Sequence, residues 1–174
     1  TGKVWFTDDP AQVQALREVV FQDGHLNKDV VGKPAPEIAA MAGIEIPGHV
    51  RVILLPADGT GTRDVLAKEK LCPVVAIHPY TTFEEAVEGA KANLLVEGAG
   101  HSAALHSEDE EHIRMMGVAL PISRLVVNQA SSLTAGGSLT NGFAPTTTLG
   151  CGSWGGNSIS ENLDYKHLMN VSRI

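Results

Sequence analysis

A chain of 174 residues with 43% hydrophobic and 19% charged residues can bury one sizeable core and has an ordinary globular composition. Its formal net charge of −7 argues against nucleic acid as a main partner. No apolar run approaches the ~20 residues that cross a bilayer, so no membrane partner is expected, and no basic-then-apolar signal opens the chain.

Cys72 and Cys151 make neither a zinc-type pair nor a disulfide framework, which points to a reducing, cytoplasmic setting. The seven histidines are scattered, with no His-x-x-x-His pair on a predicted helix, so no metal site is expected.

In chain order, Val4-Trp5-Phe6 reads as a strand with no preceding neighbour. Asp8-Asp9-Pro10 opens a helix with Val13, Leu16 and Val20 on one face. Asn27 caps a short turn, and Pro34-Ala35-Pro36-Glu37 starts a second helix closed by Gly43. Arg51 to Leu55 is a continuous aliphatic run, typical of a strand covered on both faces. Val74 to Ile77 is another. Thr81 with Glu84 and Thr82 with Glu85 form overlapping capping boxes before a helix burying Phe83, Ala86, Val87, Ala90 and Leu94. His101 to His106 is a short strand. Ser107 with Glu110 caps a helix bearing Ile113, Met116 and Leu120, and Arg124 to Asn128 is a further buried strand. Strands alternating with helices predict βαβ units: an α/β fold, three layers (α/β/α) around a mostly parallel sheet.

From Leu125 to Ser160 there is no Asp, Glu, Lys, Arg or His. The stretch is rich in Gly, Ser and Thr, as a linker is, yet it carries Phe143, Leu149, Trp154 and Ile159 at intervals. An ordered loop packed on a domain accounts for both; a long surface connection with an idle Trp anchor is the alternative. Ligands of open α/β sheets gather beyond the carboxyl ends of strands, where this loop begins. Gly150-x-Gly152-x-x-Gly155 does not follow a buried strand in a βαβ unit, so it is not read as a nucleotide fingerprint.

Four candidate groups follow. Cys72, before Pro73 at the mouth of a strand, reads as a core thiol. Cys151, between two glycines, has no base adjacent in sequence to activate it. Glu69 could accept bonds from vicinal sugar hydroxyls, or stand as a solvated acid between Lys68 and Lys70. His101, after Gly98-Ala99-Gly100, could be a general base or a structural His held by loop carbonyls.

Several segments together resemble one family. Leu149-Gly150-Cys151-Gly152-Ser153-Trp154-Gly155-Gly156-Asn157-Ser158-Ile159-Ser160-Glu161-Asn162, then Lys166-His167-Leu168, resembles the carboxyl-terminal signature of CoA-acylating aldehyde dehydrogenases. These include the aldehyde dehydrogenase half of bifunctional aldehyde-alcohol dehydrogenases and the ethanolamine- and propanediol-utilisation enzymes. Glu69-Lys70-Leu71-Cys72-Pro73-Val74 is similar to the superfamily's Glu-x-Phe-Gly-Pro-Val, with Leu71 in the Phe place and Cys72 in the Gly place. Gly98-Ala99-Gly100-His101-Ser102 is similar to Gly-x-Gly-His-Thr, and Asn128-Gln129-Ala130-Ser131-Ser132 to Asn-x-x-Ser-Ser.

The resemblance implies oxidation of a small aldehyde to an acyl-CoA, with NAD as cofactor and coenzyme A as co-substrate, through a cysteine thioester. Glu69 would hold the nicotinamide ribose, with Leu71 packed near it. His101 would sit by the thioester, and Cys151 and Gly152 would line the pocket. The family's nucleophilic Cys and nucleotide-binding domain lie upstream of the matched stretch. Residues 1–160 would then be the distal part of the catalytic domain, inactive alone. Residues 161–174 would be a tail whose alternating His167 to Ile174 reads as a strand for self-association. The expected location is cytoplasmic, with a bacterial microcompartment as the other setting known for the branch. A non-catalytic α/β module that binds a nucleotide or assembles with a partner is the alternative.

Overall fold

The computed structural model describes residues 2–174. The chain divides into two compact units, one ending at Glu97 and one beginning at Gly98.

In the first unit, β1 (Val4–Phe6), β4 (Val52–Pro56) and β5 (Val74–Ile77) form a parallel sheet in the order β1-β4-β5. The first strand therefore does have a neighbour, supplied by later sequence: Val4 pairs with Val52 and Phe6 with Leu54. Between β1 and β4 lie α1 (Pro10–Val20), the hairpin strands β2 (Phe21–Gln22) and β3 (His25–Leu26), and α2 (Ala35–Met41). Asp9 caps α1 by accepting from Ala11 and Gln12 N–H at 2.9 and 3.1 Å, and Pro10 fills the first turn. The expected stripe of Val13, Leu16 and Val20 is buried, and Asn27 caps a 3₁₀ turn as expected.

Register explains the core. Trp5, Ile53, Leu55 and Val74 share one sheet face, and Leu16, Ile38, Ile53, Leu55 and Leu66 are fully buried beneath or against it. Val4, Phe6 and Val75 share the opposite face through Val52 and Leu54, and about half of each is exposed. The aliphatic run of β4 is thus covered on one face only by the described residues, where its composition predicts two. After β5 comes α3 (Phe83–Glu97). Its capping box forms at Thr82 and Glu85: Thr82 Oγ1 accepts from Glu85 N–H, and Glu85 Oε2 accepts from the N–H groups of Thr81 and Thr82. Of its predicted core positions only Val87 is buried.

In the second unit, β6 (Gly100–Leu105) and β7 (Ile122–Val127) pair in parallel around α4 (Glu110–Ala119). The expected parallel strands exist, as two separate sheets, one in each unit. Asp109 rather than Ser107 caps α4, accepting from Glu111 and His112 N–H, while Ser107 Oγ supports Asp109 N–H. An aspartate adjacent to the first turn wins because its carboxylate also meets the helix dipole. Asn128, in the left-handed region at φ +53°, ties the strand ends: its amide accepts from Ser107 N–H and donates to Ser107 O.

The uncharged stretch is an ordered loop, beginning with α5 (Ser131–Thr134) and closed by an antiparallel bridge between Leu149 and Asn162. Phe143, Leu149 and Ile159 are half-buried, but Trp154 is exposed and does not anchor it. Among the described residues the tail pairs with no strand. Tyr165–Leu168 is a 3₁₀ turn capped by Asp164, and Met169 to Ile174 forms no regular element. A strand is defined by hydrogen bonds to a partner, and among the described residues no edge pairs with this segment.

Candidate functional site

Gly100 turns the chain into β6 at φ +84°, and His101 follows with its side chain exposed. The backbone of His101 is fixed on both sides. Its N–H donates to Gly98 O at 3.1 Å, and its carbonyl accepts from an Arg124 guanidinium nitrogen at 3.3 Å. The imidazole takes no hydrogen bond among the described residues and faces a cavity of about 470 Å³. Ser102, Ser131, Ser132, Thr146 and Thr147 also line that cavity, so its wall is dominated by hydroxyls and holds no carboxylate.

Cys151 and Gly152 do not line this cavity; Leu149 does. Cys151 lies against Gly100 instead, and Gly152 against Ser160. A Cβ built on Gly100 would come within 2.0 Å of the Cys151 carbonyl oxygen, so only glycine admits this approach. The loop is held in place by two backbone bonds, Gly152 N–H to Ile159 O at 2.9 Å and Asn157 N–H to Gly152 O at 2.7 Å, and by the Asn157 side chain, whose Oδ1 accepts from Cys151 N–H at 3.1 Å. The structure therefore brings His101 and Cys151 together through Gly100.

Glu69 and Leu71 belong to the first unit. Glu69 is exposed, and its N–H donates to Glu97 Oε2 at 2.9 Å. With Lys68, Glu97 and His25 it lines a cleft of about 360 Å³. Leu71 stands in the left-handed region at φ +47° with its side chain largely exposed, an apolar group held out of the core at a cost of order 1–3 kcal/mol in backbone strain. Cys72 packs against the core, and burial pushes its thiol pKa up, which disfavours the thiolate. Burial pushes the Lys70 ammonium down, while its Nζ donates to the carbonyls of Leu66 and Lys68.

Three groups had no assigned role from the sequence. Arg124 is buried on β7, and Asn162 is buried beside it. A single charge among the apolar alternation of Ile122 to Val127 is the signal that could have drawn attention to Arg124. His78 lines a larger cavity, about 760 Å³, with Thr60, Arg63, Tyr80 and Asn93. Burial pushes its pKa down, and the Asn93 amide bridges it to Gly61, accepting from Gly61 N–H and meeting His78 Nε2 at 3.3 Å. No cluster of His, Cys, Asp or Glu among the described residues could hold a metal ion. No helix among them is long and apolar enough to cross a membrane.

No protein-family model matches the chain. A succinate-semialdehyde dehydrogenase (acetylating) of Clostridium kluyveri is 56% identical over 170 residues, covering 98% of this chain and 37% of that protein. The chain is homologous to one part of the acylating aldehyde dehydrogenases. A bifunctional aldehyde-alcohol dehydrogenase of Escherichia coli K12 matches at 36% identity over 94% of this chain and 19% of its own length. The crystal structure of an acetylating aldehyde dehydrogenase from Geobacillus thermoglucosidasius superposes with a TM-score of 0.90 at 35% identity, over 98% of this chain and 37% of that one. The chain thus spans little more than a third of the length of the single-function relatives and about a fifth of the bifunctional one.

Proposed function

We propose that the chain is the part of a CoA-acylating aldehyde dehydrogenase that carries the acyl-transfer base and the nicotinamide-ribose anchor. The whole protein would convert an aldehyde, coenzyme A and NAD to acyl-CoA and NADH, with the cysteine nucleophile outside this chain. The observation that carries the reading is His101: a fixed backbone, an imidazole with no partner, and a cavity in front of it. As a base in that position, the imidazole takes the proton of the CoA thiol as the sulfur attacks the enzyme-bound thioester and the nucleophilic cysteine leaves as its thiolate.

The nicotinamide cofactor supplies the hydride acceptor. Glu69 and Leu71 fit such a group, one an exposed carboxylate able to accept from vicinal hydroxyls, the other an apolar side chain held outward. The substrate we infer is a carboxylated aldehyde, succinate semialdehyde, following the relative at 56% identity. The hydroxyl wall of Ser131, Ser132, Thr146 and Thr147 supports it, since hydroxyls donate to a carboxylate and no acid opposes one there.

The test is a half-reaction assay on the full-length protein. His101→Ala should spare the CoA-independent burst of NADH and depress acyl transfer to CoA by about 10²- to 10⁴-fold, the usual worth of general-base catalysis. Equal loss in both halves would mark His101 as structural.

A further inference from the structure

Arg124 is 3% exposed and lies on the same face of β7 as Ile122 and Val126. Four acceptors meet its guanidinium, and all are neutral: Gly150 O at 2.7 Å, and His101 O, Ser102 Oγ and Asn162 Oδ1 at 3.3 Å each. It makes no ion pair among the described residues. A buried cation without a counter-charge is a poor way to stabilise a fold, and an apolar residue of similar size usually does better. Its distinctive asset is the planar fork, which bonds several acceptors at once in fixed directions.

Those acceptors include the carbonyl of the candidate base and the carbonyl just before Cys151. Asn162 extends the brace. It is 5% exposed, and its amide donates to Ala135 O at 3.1 Å and Ala144 O at 2.8 Å. Ala135, Leu149 and His101 all line the same cavity. One guanidinium and one amide therefore connect the start of β6, the end of α5 and both arms of the uncharged loop.

We infer that Arg124, through Asn162, is the positioning residue of the acyl-transfer site, setting where the His101 imidazole stands relative to the cavity wall. The inference rests on His101 being the acyl-transfer base. Loss of the fork frees the His101 and Gly150 carbonyls and lets the base drift. A misplacement of about 1 Å costs on the order of 10²-fold in rate. Arg124→Lys keeps the charge on a single ammonium and cannot span acceptors on three segments, so it should show the same defect.

The experiment uses full-length enzyme and compares Arg124→Lys, Arg124→Met, Asn162→Ala and His101→Ala. Each is measured for its NADH burst without CoA and for CoA-dependent acyl release from the loaded enzyme. The expected result is a burst within about threefold of the parent and acyl release lowered about 10²-fold in Arg124→Lys, with Asn162→Ala showing a smaller loss of the same kind. Arg124→Lys and Asn162→Ala keep the test decisive if Arg124→Met does not fold. Parent-like acyl release in Arg124→Lys would overturn the inference, as would equal loss in both halves. If His101→Ala itself lowers both halves equally, the base reading fails and the inference falls with it. If His101→Ala is selective and Arg124→Lys is not, the base reading stands and only Arg124 is misassigned.

Discussion

Substituting Gly100 by alanine tests whether the contact between the Gly100 turn and the Cys151 loop matters. Two costs add. The backbone stands at φ +84°, where an L side chain is disfavoured by about 1–2 kcal/mol. The new Cβ would also sit 2.0 Å from Cys151 O and 2.9 Å from its Cβ. That first gap has to open to at least 3.0 Å, and forced repacking of this kind costs typically ~1–3 kcal/mol. Gly100→Ala in the full-length protein should therefore lose about 2–5 kcal/mol in urea unfolding. Because the residue that moves is next to His101, acyl transfer should also fall by about 10²-fold in the folded fraction. Gly43→Ala is the control: φ is +71°, but no atom lies within 4 Å of its Cβ position, so only the backbone cost of about 1–2 kcal/mol applies and activity holds. A Gly100→Ala enzyme as stable and active as Gly43→Ala would refute the reasoning.

Glu69→Gln should slow NADH formation in a single turnover, because a misplaced ribose moves the hydride acceptor; an unchanged burst with slowed thioester release would show that Glu69 does not hold the ribose. Stability should fall on acidification. His78 has a folded pKa below its ordinary 6.5, so the unfolded chain takes up the proton first and stability is lost as pH drops below that value. His78→Gln should flatten the decline between about pH 7 and 5 in denaturant melts, and identical slopes would contradict it. Asp64 adds a lower window. Burial pulls its pKa up, but Leu66 and Asp58 N–H and Arg17 together hold it below 3.8, so its contribution persists above 3.8 and disappears as pH falls through the folded value. Finally, Leu168, Met169, Val171 and Ile174 are exposed on an unpaired tail; deleting Leu168 to Ile174 from the full-length protein should shift light scattering toward monomer, and an unchanged mass would remove the tail as the assembly element.

The sequence by itself determined what is local. The Asp9-Pro10 start of α1, its buried stripe, the Thr82–Glu85 box and the aliphatic strands depend on neighbours within a few residues, and all appear where composition and spacing put them. The family motifs likewise mark Glu69, Leu71, His101 and Cys151 before any geometry is known. Only the tertiary structure decided what those residues meet. The partner of β1 is β4, more than 40 residues on, and the loop that touches Gly100 lies 51 residues later at Cys151. Arg124 looked like the start of a strand, because nothing near it in sequence reveals four neutral acceptors arriving from residues 101, 102, 150 and 162. The tail forms no strand among the described residues for the converse reason. Alternation supplies a face, but the hydrogen bonds that define a strand come from an edge that the described residues do not offer it.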